Sequence, residues 1–161
     1  GECLQRAGVD AFLVHGGNSS VLARCPEPGE SARRTSWEIG IGDPLRKGVR
    51  IATIQLEDVA LATSGSAHQF FMHGGRRLGH VIDPRSGRPT DKVLSVTVFA
   101  PTAAEADALA TALFVLGPDE GESFCGSREE VGMIFVLPNL RGGAFEMRKF
   151  GRLPECTETA T

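Results

Sequence analysis

The longest apolar segment of the chain predicts a helix over residues 103–116. Thr102 and Glu105 have the spacing of a capping box, in which a hydroxyl and a carboxylate satisfy backbone N–H groups at a helix start. Gly117 and Pro118 follow in the order that commonly ends a helix. Nearly every residue between these limits is Ala, Leu, Phe or Val, and a helix that is apolar all round is expected to be buried.

Shorter apolar runs, separated by Gly, Pro and polar residues, predict many strands. We expect strands near residues 11–16, 20–24, 36–42, 49–55, 58–62, 68–72, 93–100, 131–137 and 143–148. A short helix is expected over 2–8, an exposed loop over 26–36 and a polar connection over 118–130. Many hairpin-sized strands with few helices favour an α+β fold with mostly antiparallel sheets, with the 103–116 helix packed on a sheet.

Length and composition predict one globular domain. The chain has 161 residues, 41% of them hydrophobic, which is enough to bury a sizeable core. We expect the domain to cover 1–152 and to be followed by a flexible tail over 153–161, where hydrophobicity is low. A net charge of −3 argues against nucleic acid or an anionic membrane as the main partner. No apolar stretch is long enough for a membrane span.

The cysteines argue against a zinc site. They show no C-x-x-C spacing, and free thiols are favoured while disulfide pairing stays open. The four cysteines are Cys3, Cys25, Cys125 and Cys156.

Asp107 and Thr111 form the first candidate site. They are four residues apart and therefore neighbours on one face of the predicted helix. A buried carboxylate without a partner is costly, so the sequence predicts a compensating charge. Carboxylate and hydroxyl oxygens suit Mg²⁺ or Ca²⁺. The alternative, which the sequence leaves open, is that Asp107 pairs with an arginine and Thr111 bonds back to its own helix.

The loop before this helix forms the second candidate site. His80 and Asp83 lie among basic residues suited to binding phosphate. These basic residues are Arg76, Arg77, Arg85, Arg88 and Lys92. The segment 83–87 predicts a turn in which Asp83 accepts from its own backbone and Gly87 adopts a positive φ. The alternative is an exposed basic hairpin whose charges are only solvated.

Two turns rich in small residues follow apolar runs. Gly16 and Gly17 lie in the turn after the run 11–14, and Ser64 and Gly65 lie in the turn after the run 59–61. Small residues at strand ends allow backbone N–H groups to approach a ligand closely. Neither turn has a dinucleotide-binding or P-loop pattern, and each alone is compatible with an ordinary turn.

Taken together, the motifs resemble those of the ApbE flavin transferases. They are the segments 16–18, 37–44, 62–65, 80–87, 95–98 and 106–113, within a resemblance from residue 5 to about 150. The resemblance implies an ApbE-like, T-fold-related α+β fold. It also implies FAD:protein FMN transferase activity, in which FMN from FAD is attached to a Thr or Ser of an acceptor flavoprotein with Mg²⁺ as cofactor.

The resemblance assigns roles to single residues. Asp107 and Thr111 match the residues that hold magnesium, and His80 matches a histidine that assists proton transfer. The residues matched to cofactor binding are Gly16, Gly17, Ser64, Gly65, His80, Val81 and Asp83. Asn18 stands where the family usually has Asp, which removes one charge.

The start of the chain differs from the family pattern. It begins at Gly1, without Met, in what reads as a helix end. No counterpart is seen for the preceding family region, which supplies adenine contacts and a backbone metal ligand. We therefore expect the C-terminal portion of a larger protein. The sequence does not indicate a location, and the resemblance is compatible with an extracytoplasmic or membrane-anchored one.

Three function classes follow. The first is a flavin transferase that acts with the region before Gly1. The second is a module that binds FAD or another nucleotide with Mg²⁺ but transfers nothing. The third is a structural domain in which Asp107 is ion-paired.

Overall fold

The computed structural model describes residues 1–17, 19–26, 36–66, 70–139 and 145–159, apart from the side chains of Arg76 and Arg77. Within these ranges the chain forms three helices and thirteen strands. The helices are α1 (Glu2–Arg6), α2 (Ala103–Leu116) and α3 (Pro118–Cys125). The strands are β1 (Phe12–Gly16), β2 (Ser20–Arg24), β3 (Trp37–Gly42), β4 (Arg50–Leu56), β5 (Ala60–Gly65), β6 (Phe70–His73), β7 (Arg76–Gly79), β8 (Ile82–Asp83), β9 (Arg88–Pro89), β10 (Ser95–Ala100), β11 (Gly132–Pro138), β12 (Phe145–Gly151) and β13 (Glu155–Glu158).

The strands form two main sheets and two small hairpins. The larger sheet has the order β1-β2-β5-β10-β11-β12, and the smaller has the order β13-β4-β3. The hairpins pair β6 with β7 and β8 with β9. Every strand pair in the described part of the chain is antiparallel. The predicted α+β class with mostly antiparallel sheets is confirmed.

Three layers enclose two apolar cores. Alternate residues of β10 point to opposite faces of the larger sheet, as pleating requires. Val96 and Val98 belong to the core beneath α2, whereas Phe99 belongs to the core beneath the smaller sheet. The larger sheet is thus covered by α2 on one face and by the three-stranded sheet on the other. Burial on both faces explains why all of β10 is buried.

Helix α2 has the predicted bounds, and its start has the predicted cap. The Glu105 N–H donates to the Thr102 hydroxyl at 3.2 Å. The expectation that the helix is buried on all sides is wrong. Its buried residues are Ala106, Ala110, Leu113 and Phe114, and Asp107, at the edge of that buried face, is exposed. Alanine is favourable in any helix, so the alanines outside that face indicated helix formation rather than burial.

Two other expectations fail. The connection expected over 118–130 contains α3, which begins at Pro118, a residue suited to the first turn of a helix. The tail over 153–161 was expected to be flexible, yet β13 pairs with β4 from Glu155 to Glu158. Backbone hydrogen bonds to β4 order this mostly polar segment, and Cys156 packs against the core between the sheets.

Most of the loop expected over 26–36 lies outside the described residues. Among the helices that the structure describes, none is long and apolar enough to cross a membrane.

Candidate functional site

A cleft of about 920 Å³ opens where β5 ends and β10 begins, between α2 and the end of β3. Ser64 and Gly65 are consecutive residues of β5 and line the cleft from opposite faces of the larger sheet. The cleft therefore reaches both layers that cover this sheet. The predicted site residues that line the cleft are Ser64, Gly65, His80, Val81, Asp107 and Thr111. Residues from the turn, the basic loop and the helix therefore meet in one place.

The helix side of the cleft carries a carboxylate and two hydroxyls. The Ser64 and Thr111 hydroxyl oxygens lie 3.2 Å apart, and the Thr111 hydroxyl donates to the Asp107 carbonyl at 3.3 Å. With its hydrogen used in that bond, Thr111 accepts from Ser64 and keeps an oxygen lone pair. The predicted alternative that Thr111 bonds back to its helix is thus confirmed, and the hydroxyl still has room for a further ligand.

The structure corrects the environment of Asp107. The residue is exposed, so the prediction of a buried carboxylate is wrong. The alternative prediction of an arginine partner is also not seen, since no side chain in the described part of the chain pairs with this carboxylate. It is an acceptor that faces a cleft and is available to a ligand.

The Asp107 and Thr111 oxygens suit Mg²⁺, which completes its shell with water and substrate oxygens, better than they suit a metal that needs protein ligands alone. The described residues include no group of three or more His, Cys, Asp or Glu residues placed to hold a metal ion. Mg²⁺ commonly takes one or two carboxylates and completes its shell with water and substrate phosphates. Asp107, with the neighbouring Thr111 hydroxyl, fits such a partial ligand set.

His80 and Val81 reach the cleft because the chain packs tightly just before them. Gly79, which ends β7, is buried, and a Cβ built on it would lie 3.1 Å from the Cβ of Ser66. A larger residue there would push the following segment away from β5. On the other side, the Val81 carbonyl accepts from the Thr90 N–H at 3.0 Å. His80 itself is exposed at the cleft.

Asp83 stabilises a turn and does not line the cleft. Its carboxylate accepts from Nε and Nη2 of Arg85, each at 2.9 Å, and from the Arg85 backbone N–H, also at 2.9 Å. The Arg85 guanidinium and then its N–H lower the pKa of Asp83 from 3.8 to about 2. Gly87 has a φ of +66°, so the predicted turn is confirmed.

Gly16 and Gly17 lie in the hairpin between β1 and β2 and do not line the cleft, although the adjacent His15 and Ser19 do. Gly17 has a φ of +69°, which explains a glycine at that position of the turn. Asn18 lies outside the described residues. A role for this turn, and for Asp83, in cofactor binding stays a prediction.

Asp43 is a cleft residue that was considered only as part of a motif. Its side chain is fully buried and accepts from the N–H groups of Leu45 at 2.7 Å and Arg46 at 3.0 Å. The Arg46 Nε donates to its second oxygen at 2.7 Å. Burial alone would raise the pKa of Asp43, but the Arg46 side chain and these N–H groups outweigh it, and the pKa lies below 3.8. The Asp-Pro pair directly after β3 was the available signal.

The antiparallel sheets and α2 bring hydroxyls, a carboxylate and a histidine together at one cleft. The model of the ApbE family matches residues 1–135. The chain belongs to the ApbE family, which confirms the resemblance that its motifs indicated.

Curated relatives and solved structures agree with this assignment. The FAD:protein FMN transferase of Treponema pallidum is 40% identical over 114 residues, which cover 69% of this chain and 31% of the relative. That of Rhodobacter capsulatus is 36% identical over 147 residues, 86% of this chain and 27% of the relative. The ApbE protein of Thermotoga maritima has a TM-score of 0.68 at 33% identity and is matched over 91% of this chain and 48% of its own. The Vibrio cholerae flavin transferase ApbE has a TM-score of 0.72 at 28% identity, over 92% and 45%. The chain thus spans about a third of the length of these curated relatives and about half of the solved chains.

Proposed function

We propose that this chain carries the catalytic cleft of an FAD:protein FMN transferase. One observation carries the proposal most directly. Asp107, which no described side chain neutralises, shares a single cleft with Thr111 and His80. Curated relatives that share this family are named FAD:protein FMN transferase, and they support FAD as the substrate.

The reaction is a phosphoryl-group transfer to an alcohol. The hydroxyl oxygen of an acceptor Thr or Ser forms a bond to the phosphorus of the FMN half of FAD. The bond from that phosphorus to the bridging oxygen breaks, and AMP leaves with that oxygen. The proton of the acceptor hydroxyl goes to the His80 imidazole, which acts as general base at the mouth of the cleft. The products are the FMN phosphoester on the acceptor and AMP.

Charge is the main obstacle to this reaction, since the pyrophosphate is anionic and gains negative charge on its leaving half. When bound, Mg²⁺ would neutralise that charge. Asp107 and Thr111 are the residues that would hold the ion. Ser64 acts on Thr111, because donation from Ser64 orients the Thr111 oxygen. Val81, which is half-buried in the wall, shapes the cleft beside His80.

The test is a transfer assay with the 161-residue chain. The chain is incubated with FAD, Mg²⁺ and a threonine-bearing acceptor peptide, and the peptide mass is measured. Addition of one FMN supports the proposal. The Asp107→Asn variant should lose Mg²⁺-dependent transfer, by about 100-fold or more, because metal stabilisation of charge is worth several kcal/mol. Glu129→Gln, the same charge change on an exposed residue away from the cleft, is the matched control.

Two results would contradict the proposal. Asp107→Asn activity equal to that of the Glu129→Gln control would remove the metal-ligand role. FAD that binds with Mg²⁺ and transfers nothing, by this chain and by any longer product of the same gene, would favour a nucleotide-binding module instead.

A further inference from the structure

Ser95 is a buried polar residue that the mechanism does not use. It is only 5% exposed, and it lines the cleft. Its hydroxyl makes no hydrogen bond to any residue that the structure describes. Every buried side-chain oxygen that is sealed from solvent in that part of the chain has a partner, so the Ser95 oxygen must keep a small opening, and the cleft is where it opens. Buried hydroxyls are normally hydrogen-bonded, and Ser95 has no partner among the residues that the structure describes.

Gly65 keeps this hydroxyl accessible. The two residues face each other across β5 and β10. A Cβ built on Gly65 would lie 3.1 Å from the Ser95 Cβ and 3.0 Å from the Leu94 carbonyl oxygen, closer than side chains normally approach. A side chain at position 65 would therefore crowd Ser95, and the backbone carbonyl cannot move aside without disturbing β10. The glycine leaves a recess with Ser95 on its floor.

The recess lies on the opposite face of the sheet from the proposed metal ligands. Ser64 points toward α2, where it meets Thr111. Gly65 and Ser95 are a facing pair on the other side, the side that packs on the three-stranded sheet. The cleft thus has a charged half beneath α2 and a second half between the two sheets.

The half between the sheets has apolar walls. Val21, Ile41 and Leu61 line it and belong to the core between the sheets. Two polar groups near them are engaged: the Thr63 hydroxyl pairs with Thr97 at 2.8 Å, and both Asp43 oxygens accept hydrogen bonds. Ser95 is a hydroxyl in this wall that is still available.

We propose that Ser95 binds the isoalloxazine ring of the flavin, by donating its hydroxyl hydrogen to an acceptor atom on the polar edge of the ring. This inference rests on the proposed function. The ring is flat, with a hydrocarbon edge for the aliphatic walls and carbonyl and ring-nitrogen acceptors on the opposite edge. The smaller adenine ring also has acceptor nitrogens, but it lacks a methyl-bearing hydrocarbon edge, so the apolar walls formed by Val21, Ile41 and Leu61 favour the isoalloxazine ring. Ser95 is then a specificity-determining residue, and Gly65 is a positioning residue that keeps it open.

The experiment compares FMN and ADP binding to the 161-residue chain and its Ser95→Ala variant, with Mg²⁺ present. Removing one hydrogen bond should raise the Kd for FMN about 3- to 10-fold. The absorption band of bound FMN should also shift, since the ring loses a hydrogen bond, and the Kd for ADP should stay within about twofold because it carries no isoalloxazine ring. Thr90→Val is the matched control: its hydroxyl is also buried without a described partner, but it does not line the cleft.

The outcomes separate the two proposals. An unchanged FMN Kd and spectrum in Ser95→Ala, with normal binding by the unmodified chain, overturns the role of Ser95 and leaves the transferase proposal intact. Weaker ADP binding with unchanged FMN binding overturns the isoalloxazine assignment in favour of adenine. If neither the unmodified chain nor a longer product of the same gene binds FAD or FMN, the proposed function fails, and the inference about Ser95 fails with it.

Discussion

The side-chain oxygens of Ser64 and Thr111 lie 3.2 Å apart and join the end of β5 to α2. This contact connects the small-residue turn and the helix motif, which are far apart in the chain. It also places a hydroxyl pair beside the Asp107 carboxylate at the cleft. The position of the helix on the sheet therefore determines the proposed metal site.

Replacement of Thr111 should separate ligand binding from stability. Thr111→Val removes the hydroxyl at nearly constant shape, and we expect the Mg²⁺ concentration for half-maximal transfer to rise about tenfold, a loss of about 1.4 kcal/mol. Thr111→Ser keeps the oxygen and should restore most of the affinity. The free energy of unfolding of either variant should change by about 1 kcal/mol or less, because the Ser64–Thr111 hydroxyl pair is exposed. Equal Mg²⁺ requirements for Val and Ser would argue against ligation by Thr111.

Replacement of His80 should reduce turnover rather than binding. With His80→Asn we expect kcat to fall about 10²- to 10⁴-fold, the usual contribution of a general base, while the Kd for FAD changes little. His73→Gln, on the β6–β7 hairpin outside the cleft, should leave both quantities unchanged. A kcat of His80→Asn within about threefold of that of the unmodified chain would assign the proton transfer to another group.

The Asp83–Arg85 pair should make stability depend on pH. Because folding lowers the pKa of Asp83 from 3.8 to about 2, the pair stabilises the fold above pH 4 and loses that effect as the pH falls toward 2. Asp83→Asn should therefore have a lower Tm at pH 7, and the difference from the unmodified chain should shrink between about pH 4 and pH 2.

Thermal melts over this pH range measure the effect. Asp10→Asn replaces an exposed carboxylate with no described partner and should melt like the unmodified chain. A Tm difference for Asp83→Asn that is the same at pH 7 and pH 2 would contradict the proposed linkage.

Asp43 should be a stability residue of the cleft wall. Asp43→Ala leaves two backbone N–H groups and the Arg46 guanidinium without their acceptor. The free energy of unfolding should therefore fall by about 2–3 kcal/mol. Asp43→Asn keeps one acceptor oxygen and should lose less. Urea denaturation measures both, with Asp10→Ala as the exposed control. A loss below about 0.5 kcal/mol for Asp43→Ala, the range of ordinary surface changes, would contradict this role.

Much of the fold could be predicted because the local signals were strong. The cap formed by Thr102 and the stop at Gly117 set the limits of α2. Helix α3 was missed because Pro-Asp-Glu-Gly-Glu-Ser lacks apolar periodicity, and β13 was missed because it is polar. Both depend on packing against distant parts of the chain, α3 against α2 and β12, and β13 against β4.

The candidate site could likewise be predicted only in part. The sequence by itself determined which residue types are present, namely a carboxylate and hydroxyl one helical turn apart, a histidine among basic residues, and a turn closed by Asp83 and Gly87. Only the tertiary structure decided that Asp107 is exposed to a cleft, that Asp83 pairs with Arg85, and that Ser95 is buried without a described partner. The reason is physical: spacing sets which side chains share a face, whereas burial and pairing depend on which distant strand or helix covers that face.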